Sequence, residues 1–461
     1  MTPRLNHEGS PLIQIDPGPQ SANRLTNKQV FKTWLPLVAS WLLMSIELPT
    51  INAIVARLAN PEINLAAYGG VVFPIALIIE APVIMLLAAS TALSRDWASY
   101  QKLKKYTLWM GGLLAGLHIL VAVTPIYDFI VNVVLGAPQA VVEPARMGLL
   151  LLSPWTIGIA YRRFQQGAMI RFGHSHMVSE TTLVRLVTVS IVLTVGMFLK
   201  TIPGASLAGL AQGLGVSFEA IFAGLRIRSV RSEIRATPPA PKDLTLKRFA
   251  SFYLPLALTS TLWLLWQPLI SGTVSRMPQP IESLAIWSVV TGLLFVFRSP
   301  GMAYNEAVVA LLERARSFPV LRKFARLASL ATLGLALGIV LTPISRLWFT
   351  YIANLDAELV PVAMTALAIG VPLTAISIYI SFFQGVIVNK EKTGPVAEAV
   401  VVFLVVMIAI LLAGVLTEAF KGVFVAAVAY TAAHLAQALW LMLRSRKQRR
   451  AFAAESDQHG G

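Results

Sequence analysis

Twelve apolar runs, each long enough to cross a bilayer as a helix, divide this chain. A hydrocarbon core of ~30 Å needs roughly 20 predominantly apolar residues. The runs fall at about 31–57, 65–93, 106–124, 143–168, 179–200, 205–225, 249–275, 282–310, 322–343, 358–388, 394–415 and 419–443. In lipid the backbone must satisfy its own N–H and C=O groups, so runs of this length predict helices. Composition agrees: 56% of residues are hydrophobic and 13% charged, against ~25% charged in a soluble domain. The expected fold is all-α and polytopic, with twelve transmembrane helices. The 358–388 run contains Pro372 and is expected to kink.

The formal charge is +16, which in a soluble protein would suggest nucleic acid. The positions of the cations exclude that reading. With the N-terminus placed inside, thirty of the 38 lysines and arginines fall in cytoplasmic segments and ends. Arg57, Arg146, Lys200, Arg276, Arg346 and Lys421 fall on the opposite side, and Arg185 and Arg298 within spans. A bias alternating loop by loop is the positive-inside signature. It predicts a multi-pass protein of the cell membrane with both termini cytoplasmic and lipid as a partner; the cysteine-free, alanine-rich composition points to the bacterial inner membrane. Residues 1–30 are polar, with no signal-length apolar core, and read as a disordered cytoplasmic tail. Residues 444–461 read as a basic cytoplasmic tail. With no cysteine, disulfide and thiolate chemistry are excluded.

The two halves align at a shift of 219 residues, falling to 218 after a one-residue gap. At 219, Pro36, Pro49, Arg57 and Pro61 match Pro255, Pro268, Arg276 and Pro280. At 218, Pro82, Pro125 and Pro154 match Pro300, Pro343 and Pro372, and YRRFQQG (161–167) lies over YISFFQG (379–385). The expected organisation is an N-lobe at 31–225, a cytoplasmic linker at 226–248 and a C-lobe at 249–443. Six spans per repeat is an even number, so the lobes share one orientation about a pseudo-two-fold along the membrane normal. Proline frees a carbonyl and bends the helix, so matching kinks are expected in spans 1/7, 2/8 and 4/10.

A charge at mid-bilayer costs ~2.5–3.5 kcal/mol and needs a partner, water or a task. Glu80 and Arg298 sit mid-span at positions equivalent under the 218 shift. Both are expected to line a central cavity, Arg298 binding an anionic group and Glu80 neutralising it when the site is empty; a static salt bridge is the plainer alternative. Asn305, Gln166 and Gln384 complete the expected substrate-binding set. Glu47 and Glu306 are candidates for a proton-carrying role. Glu219, Asn52 and Arg185 are weaker candidates. His118 and His434 are read as packing residues, and Arg162 and Arg163 as snorkelling to the interface, the alternative being that they guard the cavity's inner mouth. No phosphate-cradling GxxxxGK[ST], HExxH or GxSxG occurs. No enzyme activity, cofactor or metal is expected.

Twelve spans in two parallel halves resemble the multidrug/oligosaccharidyl-lipid/polysaccharide (MOP) exporter superfamily with its MATE-like fold. RFASFYLPLALTSTLWLLWQPLISGTVSR (248–276), FQQGAMIRFGHSHMVS (164–179) and AAYGG (66–70) resemble the progressive ankylosis family. That resemblance implies a membrane exporter of citrate, pyrophosphate or nucleoside triphosphate, working by alternating access on a small anionic substrate. The other readings are a MATE-like multidrug cation antiporter and a lipid-linked saccharide flippase. A monomer is expected.

Overall fold

The computed structural model describes residues 25–240, 243–312, 317–388, 394–449 and 452. Most of the tail expected at 1–30, and much of that at 444–461, lies outside the described residues. All regular structure among the described residues is helical. Eleven helices are long and apolar enough to span a membrane. They are α1 (Asn27–Val55), α2 (Pro61–Leu93), α3 (Trp97–Val123), α5 (His176–Leu199), α6 (Gly204–Ala236), α7 (Leu246–Val274), α8 (Pro280–Leu311), α9 (Ser317–Leu341), α10 (Val360–Val388), α11 (Gly394–Thr417) and α12 (Gly422–Arg444). The remaining crossing, α4, consists of Gln139–Leu152 continued by Pro154–Arg171. It carries Glu143, Arg146, Arg162, Arg163 and Arg171 and breaks at Ser153, and it falls outside the apolar eleven. Large apolar side chains such as Leu113, Phe198, Leu341 and Leu416 stand exposed on the outer surface, as lipid-facing residues do.

Helix α6 runs on to Ala236, well past the apolar stretch. Ile227, Val230 and Ile234 keep a fully buried stripe at helical spacing beyond the membrane, while Arg226, Arg228, Arg231 and Arg235 are good helix formers. The linker between the lobes therefore begins after Ala236.

The repeat is visible in the backbone. Helix α1 breaks at Ile46 and α7 at Leu265, three residues before Pro49 and Pro268. Helix α4 breaks at Ser153 and α10 around Val371. Each pair of breaks is related by the sequence shift. Proline cannot donate to the carbonyl four residues earlier, and the ladder parts there. The third pair differs: α2 breaks at Met85 after Pro82, whereas α8 continues through Pro300. Left-handed residues also pair across the halves. Asn60 (φ 51) matches Gln279 (φ 53), Gly136 (φ 60) matches Asn354 (φ 48), and Lys200 (φ 52) matches Glu418 (φ 48).

The lobes meet through reciprocal contacts. At the near end, where α1 begins, Trp34 Nε1 donates to the Pro300 carbonyl at 2.8 Å, and the Tyr253 hydroxyl donates to the Pro82 carbonyl. Trp34 matches Tyr253, and Pro82 matches Pro300. One helical stretch further in, Ser260 Oγ donates to the Ala81 carbonyl at 2.8 Å and Ser299 Oγ to that of Trp41 at 3.5 Å. At the far end, Arg57 donates to the carbonyls of Tyr351 and Ile352, and Arg276 to those of Val133, Val134 and Leu135. Between the two ends α2 and α8 cross closely: a Cβ on Gly69 would stand 2.2 Å from Ser288 Oγ.

A charged cavity between the lobes

These contacts enclose a cavity of roughly 320 Å³. Its N-lobe wall carries Glu47, Glu80, Arg162, Arg163, Arg185 and Gln212; its C-lobe wall carries Arg298, Tyr430, Trp263 and Trp266. The bends of α1 and α7 put Glu47 and Trp266 one residue beyond the breaks, so both project toward the space between lobes.

The N-lobe wall is largely neutralised. Arg185 Nη2 lies 3.0 Å from Glu47 Oε2, and its Nε 3.8 Å from Glu219 Oε2. Arg162 Nη1 lies 3.2 Å from Glu219 Oε1. Gln166 Nε2 donates to Glu219 and to Thr181, and Gln212 Nε2 to Glu47. Two arginines thus meet two carboxylates in a network at most 7% exposed. Burying any one of these charges unpaired would cost several kcal/mol, so the four persist together.

Two groups stand outside that balance. Glu80 is 3% exposed and makes no ion pair or hydrogen bond among the described residues; its Oε2 is buried without a partner. Arg163 makes no ion pair among them either, and its Nε is unpartnered. The charge acting most strongly on each is that of the other.

On the C-lobe wall, Arg298 donates to Tyr430 Oη and to His434 Nε2 at 2.8 Å. His434 Nδ1 faces the Tyr430 carbonyl at 2.8 Å. A carbonyl only accepts, so Nδ1 carries the proton and Nε2 is the bare acceptor for the guanidinium. Arg298 is therefore held by neutral groups, with no carboxylate within ion-pair distance among the described residues. Trp266 and Phe403 pack on this pair, at 4.7 Å from the Tyr430 and His434 rings respectively.

The expected site residues divide. Arg298, Glu80 and Glu47 line the cavity, but Glu80 faces the N-lobe arginines and forms no ion pair with Arg298. The static salt bridge between them is absent. Gln166 stands behind the wall on Glu219. Asn305 Nδ2 donates to Gln384 Oε1 at 3.3 Å; neither lines the cavity. Glu306 is exposed and accepts from Trp41 Nε1, and Glu47 is committed to Arg185, so neither stands as a free carboxylate in the cavity. Arg162 is buried on Glu219 instead of snorkelling, because a carboxylate lies closer than the interface. His118 bonds Thr156 and the Leu149 carbonyl, a packing residue as expected. His434 is not one: it orients Arg298. The i, i+4 spacing of Tyr430 and His434 on one face of α12 was the available signal.

No protein-family model and no curated protein matches this chain. Solved structures do. The MATE multidrug transporter DinF-BH is similar at TM-score 0.69 and 16% identity, covering 94% of this chain and 99% of that one. The lipid II flippase MurJ, inward closed, is similar at 0.67 and 14%, over 91% and 90%. A MOP-superfamily transporter from Pyrococcus furiosus, noted for reverse polarity of its binding pocket, is similar at 0.63 and 16%, over 93% and 98%. The fold is MATE-like. Twelve helices in two parallel six-helix lobes, read from the sequence, are what the structure has.

Proposed function

We propose that this chain is a carrier that exports small organic or phosphorylated anions by alternating access between its lobes. The observation that carries this reading is Arg298, a buried cation in the cavity wall whose partners are all neutral. An anionic substrate supplies the missing counter-charge. Four arginines around the cavity meet three carboxylates, leaving the site cationic. A cavity of roughly 320 Å³ sits at the small end of ligand pockets, ~300–1,000 Å³, which favours a compact anion over a lipid-linked saccharide. The resemblance to the progressive ankylosis family points to citrate, pyrophosphate or a nucleoside triphosphate. The reading places the near end and both termini in the cytoplasm and takes the monomer as the working unit.

One observation favours a second reading. Glu80 together with Trp263, Trp266 and Tyr430 offers a carboxylate and aromatic faces, which suit a lipophilic cation; DinF-BH is described as a multidrug transporter. Flux in proteoliposomes separates the two. Radiolabelled citrate, pyrophosphate and ATP are compared with a lipophilic dye cation, wild type beside Arg298→Ala. The anion reading expects anion flux that falls about 30-fold in the variant, the equivalent of ~2 kcal/mol for truncating a buried charged partner. Dye flux alone, or an unchanged Arg298→Ala, would overturn it.

A further inference from the structure

We propose that Glu80 is the proton site of this carrier, linked to the transported anion through Arg163. The inference rests on the anion reading above and adds its coupling ion. Among the described residues, Glu47 and Glu219, the other buried carboxylates around the cavity, each have an arginine within 4 Å. Glu80 has neither ion pair nor hydrogen bond, is 3% exposed, and lines the cavity. A carboxylate in an apolar interior keeps its charge only while a free cation faces it and otherwise takes a proton; the cavity gives protons a way in.

The groups facing Glu80 define what happens next. From α4 come Arg162, bound to Glu219, and Arg163, unpaired. From α5 comes Arg185, bound to Glu47. From α7 come Gln267 and Tyr253, whose hydroxyl is committed to Pro82. Helix α3, packed on α2, carries His118, which does not line the cavity and whose two nitrogens are both bonded to α4. Across the cavity stands Arg298 on α8. Among the described residues lining the cavity, Arg163 is thus the one cation on Glu80's side with no carboxylate of its own. It can hold the Glu80 carboxylate or an incoming anion. An anion bridging Arg163 and Arg298 excludes the charged form of Glu80, so it enters with a proton. Loss of that proton returns Glu80 to Arg163 and releases the anion. Proton and anion travel together, and by linkage each raises the affinity for the other equally.

Two measurements test this. In weakly buffered detergent solution, saturating the wild-type protein with citrate should remove about one proton per bound anion from the medium; citrate binding with no proton uptake overturns the inference. In proteoliposomes, citrate uptake driven by an alkaline interior should rise by up to about tenfold per unit of external acidification. Glu80→Gln should lose that dependence, and Glu80→Asp should restore it. Proton-driven accumulation intact in Glu80→Gln sinks the coupling and leaves the carrier standing. Absence of any anion exchange in wild type sinks the anion reading itself, and this one with it.

The geometry points to a second inference, carried by the reciprocal arginines: Arg57 and Arg276 are the far-end gate. Each donates to carbonyls at the end of a wide, i→i+5 helical turn in the opposite lobe, those of Tyr351 and Ile352 on one side and of Val133, Val134 and Leu135 on the other. The lobes cannot part at that end until both guanidinium groups let go. The chain has no cysteine, so Thr291→Cys places a single reporter in the cavity wall. Its labelling by a membrane-impermeant maleimide from the far side should rise about fivefold for each of Arg57→Gln and Arg276→Gln, the equivalent of a lost net hydrogen bond. Unchanged labelling, or an equal rise from the near side, overturns the gate.

Discussion

The two walls of the cavity occupy equivalent positions in the repeat and carry opposite chemistry. Under the shift, Glu47 corresponds to Trp266, Arg185 to Phe403, Gln212 to Tyr430, Arg162 to Ile380 and Glu219 to Gln437. The N-lobe builds its wall from ion pairs; the C-lobe fills three of the same positions with packed aromatic rings, Trp266, Phe403 and Tyr430. The backbone tolerates both because each is internally satisfied: charges meet charges, rings meet rings. The exceptions are Glu80 and Arg163 on the N-lobe wall and Arg298 on the C-lobe wall, charges with no ion pair among the described residues. These unpaired charges all line the cavity between the lobes.

Breaking the ionic wall should have the largest effect. Glu219→Leu leaves Arg162 and Arg185 competing for Glu47, and should lower stability by about 3–5 kcal/mol, read as a fall in the thermal midpoint in detergent. Converting the aromatic wall toward the ionic one comes next. Tyr430→Glu puts a carboxylate beside Arg298 and should weaken anion affinity at least about tenfold without destabilising the N-lobe, measured by citrate binding. Removing only the guanidinium's orienting acceptor is milder: His434→Leu should weaken binding by about 1–3 kcal/mol with the fold intact, whereas His434→Gln, which can still accept, should recover part of it. A packing histidine would show no such rescue.

The smallest effect lies outside the membrane, where lobe and linker are compared. Asp96 caps α3 through the Ser99 N–H and accepts from the Ala240 N–H of the linker. Burial raises its carboxyl, but these two N–H bonds outweigh that and hold it below the usual carboxylate range. A depressed native value means its stabilisation is present above the unfolded value, near 3.9, and is lost as pH falls through the native one. Asp96→Asn keeps one accepting oxygen but loses the one that takes the Ala240 N–H, and should cost about 1 kcal/mol at neutral pH; the gap between variant and wild type should close on acidification below pH ~4.

The apolar runs, the repeat and most of the bends were legible in the sequence, because span length and proline chemistry act locally. Equivalent breaks at Ile46 and Leu265 needed only Pro49 and Pro268. The continuity of α8 through Pro300 was not legible, since neighbouring helices decide whether a freed carbonyl opens the ladder. The site was half legible. Arg298 and Glu80 stood out as mid-span charges, but partners are chosen by rotation about each helix axis and by which helices touch. Nothing local to Arg162 tells of Glu219, fifty-seven positions later. His434 looked like any histidine in an apolar helix until Arg298 was beside it.

The reciprocal contacts between lobes have one more consequence. Trp34 reaches Pro300 as Tyr253 reaches Pro82, and Arg57 reaches the C-lobe as Arg276 reaches the N-lobe. When residue i touches j and j touches i, the surface is isologous, the pattern of a two-fold homodimer. A single six-helix unit carrying both halves of each contact would be complementary to itself. The present chain has the form of such a dimer with its subunits joined end to end, and only joining allows the two cavity walls to become different.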